Sequence, residues 1–250
     1  MIPIFKSHYS YGRSILTIED EKEIKDGQPV SIVAICATHN LKEVYLAETS
    51  MGGFYKSHKV FAKNNINLRF GYQVVCCRDI YDKTEESKLT ESKVIVWLRD
   101  GGGYADLCRF YTKCNTDGFY YTGRCDYKML EDLSPDLLEV SIPFYDSFIH
   151  NNILESHRCT PEFGNRQLSF HIEDHNLPFD PIIKNGVLKY IGGSAHKIID
   201  SHSVYYYNND DINAYQVFRC INNRSKFTKP DLNHFGSDEF SFESYLDKIK

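Results

Sequence analysis

Short apolar, β-branched runs alternate with helix-periodic segments along nearly the whole chain, with no linker, internal repeat or low-complexity tract between them. Runs of four to eight residues at period two predict strands, and apolar positions three and four apart predict helices. Ile2 to Phe5 reads as a first strand, followed by a polar loop from Gly12 to Gln28 that holds the charge run Glu19 to Glu23. Ser31 caps a helix carrying Ile32, Val33, Ile35 and Cys36 to about His39, which Asn40 closes. Glu43 to Ala47 is a strand, and a Gly52-Gly53 turn leads into a helix through Phe54, His58, Phe61 and Ala62. Leu68 to Cys76 and Val94 to Leu98 are strands flanking a charge-rich loop from Lys83 to Lys93. Gly101 to Gly103 turns into a helix from Tyr104 to Cys114. Beyond it come a strand at Leu138 to Ile142, a helix at Tyr145 to Leu154, strands at Gln167 to Glu173 and Lys197 to Asp200, and a helix at Asp211 to Ile221. Six or seven such units in 250 residues predict one domain, 1–250, with a closed or strongly curved α/β sheet. Chemistry in such barrels gathers at the C-terminal ends of strands, which singles out His8, Glu48, Gln73, His175 and the 200–205 stretch.

Composition narrows the function classes. Hydrophobic residues at 42% and charged residues at 25% describe a soluble globular chain. A net charge of −5 leaves no chain-wide nucleic-acid footprint, so direct nucleic-acid contact is expected to be weak or local. No apolar run approaches the ~20 residues a membrane helix needs, and the first residues lack a signal-peptide pattern. The eight cysteines, at 36, 76, 77, 108, 114, 125, 159 and 220, contain no CxxC pair, and read as reduced thiols in a cytoplasmic protein. Adjacent Cys76 and Cys77 read as part of a buried strand. The three glycines at 101–103 lack both the GxGxxG spacing and a Walker lysine, and no GxSxG elbow is present. Tyr205 to Tyr207 and Phe119 to Tyr121 have the aromatic density to stack bases, but the acidic chain favours aromatic packing at both.

The stretch Gly103-Tyr-Ala-Asp-Leu through Gly118-Phe-Tyr-Tyr to Arg124-Cys-Asp126 resembles the GYxxL helix, GFYY turn and Arg-x-Asp of the PHP (polymerase and histidinol phosphatase) domain of bacterial DNA polymerase III alpha subunits. Asp211 to Ile221 is similar to the helix closing that region, Ser237 to Phe242 to the segment after it, and Glu43 to Val75 to its strand, turn, helix and G-x-E strand. The resemblance runs from about residue 5 to 245 and implies a distorted (β/α)7 barrel of the PHP type.

Active members of this family hold up to three metal ions with His, Asp, Glu and sometimes Cys, and hydrolyse phosphoesters, the cations neutralising phosphate and activating water. Carried over residue by residue, the family's H-x-H falls on Lys6 and His8, its Asp-His pair on Glu48 and Thr49, and its G-x-E glutamate on Gln73. His175 matches a late histidine. The last motif admits two registers. Without a gap, Ser203 and Tyr205 replace both ligands; this register puts Ile198 and Ile199 on the family's apolar strand and Tyr206 on its tyrosine. With a gap of about three residues, Asp200 and His202 occupy the ligand positions. His8 also reads as a hydrogen-bonded loop residue and Glu48 as a helix cap. His39, His58, His157, His171, His196 and His234 match no ligand role.

The resemblance thus implies a stand-alone PHP-like domain, encoded in a bacterium or bacteriophage, with an eroded metal site and no catalysis. It would serve as an accessory or scaffold in DNA replication, with a polymerase or exonuclease component as partner, and would need no cofactor. A second reading is a metal-dependent phosphoesterase or 3′–5′ exonuclease holding one Mn or Zn ion through His8, Glu48, His175, Asp200 and His202. A third is a regulator that binds a host protein.

Overall fold

A computed structural model describes residues 1–20, 29–154, 159–226 and 237–250. They form two compact units. The first comprises Met1–Phe70, Glu173–Asp180 and Ser201–Lys250; the second comprises Gly71–Ile172 and Pro181–Asp200.

In the first unit, β1 (Ile2–Phe5) lies between two parallel neighbours. Ile4 pairs with Tyr45 of β2 (Glu43–Glu48) on one side and with Ser203 of β8 (Lys197–Val204) on the other. Parallel strands are typically covered on both faces, and Ile4, Phe5, Val44, Leu46 and Val204 are all buried. Helix α1 (Ile32–Thr38) begins where the Ser31 hydroxyl accepts from the Val33 amide, and Asn40 leaves it with φ 54°. Helices α2 (Phe54–Lys63), α8 (Ile212–Asn223) and α9 (Phe242–Ile249) complete the unit.

In the second unit the sheet is mixed. Strand β4 (Ser92–Leu98) runs antiparallel to both β3 (Asn67–Cys77) and β6 (Leu138–Ile142), whereas β6, β7 (Ser169–Ile172) and the first half of β8 are parallel. The short β5 (Arg124–Asp126) pairs with β3. Gly71 faces Trp97, and a Cβ at Gly71 would lie 2.5 Å from the indole. That close approach lets the Trp97 Nε1–H donate to Ser141 Oγ at 2.7 Å. The helices are α3 (Glu85–Lys88), α4 (Tyr104–Asn115), α5 (Tyr127–Glu131), α6 (Phe148–Leu154) and α7 (Asp180–Ile191).

The hydrogen-bonded order is β2-β1-β8-β7-β6-β4-β3-β5, and an additional β2–β3 pairing closes the ladder through seven strands. The fold is therefore α/β with a closed seven-stranded sheet. It departs from an even β/α repeat at β4, which reverses direction between two neighbours.

Several element boundaries differ from the sequence reading. Strand β8 continues four residues past Asp200, through Ser201, His202 and Ser203, all buried. Polar residues inside a two-sided strand mimic a loop. Gln73 lies in mid-β3, paired with Ile95, not just after a strand. The loop 83–93 contains the turn of α3, capped by Thr84, and α6 begins at Phe148, three residues later than expected. The polar run 19–23 falls partly, and His157 and His234 wholly, outside the described residues.

Candidate functional site

The C-terminal ends of β1 and β2 meet around one buried carboxylate. Glu48, the last residue of β2, is 0% exposed. Its Oε1 accepts from the Ser7 amide at 3.0 Å and the Ser7 hydroxyl at 2.5 Å, and its Oε2 accepts from the Ser10 hydroxyl. Ser10 Oγ also accepts from the Thr49 amide at 2.8 Å, while the Thr49 side chain is exposed. Lys6, directly after β1, is buried and donates from Nζ to the Ala47 carbonyl at 2.8 Å. Burial pushes the Glu48 carboxyl upward, against the Ser10 and Ser7 hydrogen bonds and the Lys6 charge. Glu48 thus braces the 6–10 turn, and does not cap the helix that follows. His8 is half-buried in that turn. Its backbone N–H donates to the Leu16 carbonyl at 2.8 Å, while its ring Nδ1 is buried without a hydrogen-bond partner. Burial lowers its pKa.

A second cluster gathers at the C-terminal half of β8. The Ser203 amide and hydroxyl donate to the two oxygens of Glu173 at 2.8 and 3.0 Å, and Glu173 Oε2 lies 2.8 Å from His175 Nε2. His175 Nδ1 faces the Glu239 carbonyl at 3.1 Å, and its backbone N–H donates to Asp180 Oδ2 at 2.8 Å. The His175 ring is stacked on Phe240, centroids 3.8 Å apart, with the His202 ring 4.3 Å away on a tilted plane. His202 is 0% exposed, and neither ring nitrogen has a hydrogen-bond partner. Burial, then the neighbouring His175, push its pKa down to about 3, against the opposing pull of the Glu173 charge. Tyr205 stacks on Phe240 at 5.2 Å and its amide donates to the Phe240 carbonyl at 2.9 Å. With Tyr206 wholly buried, the 205–207 run is packing.

Measured against a multi-metal centre, these donors fit poorly. The Lys6 ammonium sits beside Glu48, both Glu48 oxygens already accept hydrogen bonds, and both His175 nitrogens face acceptors. Asp200 is an exposed residue of the second unit, paired with Ile172. Both ring nitrogens of His202, and Nδ1 of His8, are the candidate ligand atoms left without a hydrogen-bond partner. Among the described residues, no group of three or more His, Cys, Asp or Glu side chains is placed to hold a metal ion.

Glu173, Ser7 and Ser10 organise both clusters and carry no ligand role in the sequence reading. The signal for Glu173 was the alternation His171-Ile172-Glu173, which turns 171 and 173 to one face of an extended segment. His171 uses that face to contact Ser141 Oγ at 3.0 Å. Cys76 and Cys77 lie in buried β3, and all eight cysteines are free thiols. Phe119 and Tyr121 are 50% and 73% exposed, so this turn is not aromatic packing.

No helix among the described residues is long and apolar enough to cross a membrane. No family model matches the chain. Over 223 residues it is 22% identical to the DNA polymerase III subunit alpha of Aquifex aeolicus (strain VF5), an alignment covering 79% of this chain and 19% of that subunit. The chain is therefore similar to one segment, about a fifth, of a DNA polymerase subunit.

Proposed function

We propose that the chain is a PHP-like accessory domain of DNA replication that works as a non-catalytic scaffold in the cytoplasm. The observation that carries this reading is Lys6. A buried ammonium occupies the strand end where the resemblance places the first metal-binding histidine, and it compensates Glu48 from within the protein. The distant similarity to a polymerase III alpha subunit supports the replication setting. A polymerase or exonuclease component is then the partner. Size-exclusion chromatography of the chain mixed with a purified polymerase III alpha subunit, and separately with its proofreading exonuclease, tests the reading. Co-elution with one of them is expected; elution apart from both contradicts it.

One observation favours a second reading, a metal-dependent phosphoesterase: the buried, uncommitted nitrogens of His202. His8 Nδ1 is the other orphaned nitrogen. Single His8→Ala and His202→Ala variants separate the two readings. Loss of bound Mn or Zn in either variant supports the phosphoesterase; unchanged metal content and activity mean that these residues are not ligands.

A further inference from the structure

Arg124, in the second unit, is wholly buried, and a guanidinium in that position needs a partner for each donor. Its Nε donates to the Gly118 carbonyl at 3.1 Å, and its Nη2 donates to the Ile80 and Asp82 carbonyls at 3.0 and 3.1 Å. Its Nη1 pairs with Glu91 at 3.0 Å, and the guanidinium lies 5.1 Å from the Tyr120 ring centroid. One side chain thus fastens the 79–82 turn, the 84–91 segment and the 116–123 turn. The frame is tight: a Cβ at Gly118 would lie 2.1 Å from the Arg124 carbonyl oxygen. The Tyr120 hydroxyl donates to Glu85 at 3.0 Å.

On this frame stand three exposed aromatic side chains, Tyr81 at 70%, Phe119 at 50% and Tyr121 at 73%. Tyr121 has φ 60°, a left-handed conformation that bulky residues rarely adopt and that tends to persist at contact sites. Exposed aromatic rings on an ordered frame supply contact area at low entropic cost. The chain already shows what this surface accepts, since the Lys88 ammonium lies 3.7 Å from the Tyr121 centroid. The surrounding segments are acidic, with Asp79, Asp82, Glu85, Glu86 and Asp117 set against Lys83 and Lys88 once Arg124 and Glu91 are paired. That charge repels a phosphate backbone and attracts a cationic chain.

We propose that this face is a docking surface for a basic protein segment, whose arginine or lysine side chains stack on Tyr81, Phe119 and Tyr121, pair with Glu86 and take the place of Lys88 at Glu85. The inference goes beyond the scaffold reading and stands without it, because it is tested on the chain alone.

The probe is a fluorescently labelled peptide of alternating arginine and glycine, titrated with the full chain at low salt. A glutamate-glycine peptide and an oligothymidine strand of equal length serve as comparisons. Binding of the arginine peptide alone is expected. The double variant Tyr81→Ala, Tyr121→Asn should weaken it about tenfold without changing charge, asparagine tolerating the left-handed backbone. Glu85→Gln with Glu86→Gln should weaken it as well. The proposal is overturned by absent binding, by equal affinity in the tyrosine double variant (diffuse charge attraction), or by oligothymidine binding as tightly as the peptide.

Discussion

A lysine ammonium removed from water at a strand end costs several kcal/mol unless it is paired and hydrogen-bonded. Lys6 meets that cost through the Ala47 carbonyl and the neighbouring Glu48 charge. Lys6→Met keeps the stem and deletes the ammonium, leaving a buried carbonyl short of a donor and Glu48 short of a cation. It should destabilise the protein by about 2–3 kcal/mol in urea unfolding. His202 presents the opposite case, a buried ring with two polar atoms that make no hydrogen bond. His202→Phe retains the aromatic contacts with His175 and Tyr245 and removes both unsatisfied atoms. The change should be neutral or stabilising by up to about 1 kcal/mol, measured in the same unfolding series.

At the scale of elements, Arg124 joins three loops, so its loss is more than a local vacancy. Arg124→Met leaves Glu91 without its counter-charge and three backbone carbonyls without donors. It should cost about 3–5 kcal/mol and speed hydrogen exchange across 79–91 and 116–123 before the β4–β6 ladder is affected. The same frame carries a pH signature at Glu85, whose carboxyl is held below its ordinary 4.5 by Lys88 first and then by the Tyr120 hydroxyl. A depressed carboxyl contributes stability above its unfolded pKa, and that contribution fades as pH falls through the folded value, here below 4.5. Exchange protection of the 84–91 segment should therefore hold from neutral pH down to about pH 5 and decline below about pH 4. Glu85→Gln should shrink that decline and leave Glu91, whose carboxyl burial raises against its pairing with Arg124, to titrate in the same segment.

Much of this architecture was legible in period and capping. Ser31, the Gly52-Gly53 turn and the Gly101–Gly103 turn mark helix starts within a residue or two of those observed. Helix α7 was missed although Pro181 follows its first residue, because Asn185 and Gly186 break the helical pattern midway. Helix α9 was missed behind a Ser241 cap that accepts from Ser244, and β5 is too short to show any period. At the candidate site, position was readable and wiring was not. Lys6, His8, Glu48, His175 and His202 could be placed near strand ends, yet the serines that saturate Glu48 and the Glu173 that joins His175 to Ser203 declare themselves only through contacts distant in sequence.

The whole molecule is an α/β chain similar over 223 residues to a segment of a polymerase subunit, in which Lys6, Glu48, Glu173 and His175, at the strand ends, find their partners within the protein. If no metal holds those ends together, chelation has nothing to remove. Thermal unfolding in excess EDTA should match that in buffer to within about 1 °C, whereas a structural ion would make the midpoint fall with chelation. The most direct measurement of the central claim is elemental analysis of the purified full chain after exchange into metal-free buffer, paired with an assay on a model phosphodiester with added Mn or Zn. Less than stoichiometric metal and no cleavage above background are expected. Stoichiometric Mn or Zn with chelator-sensitive cleavage, abolished by His202→Ala, would contradict that claim.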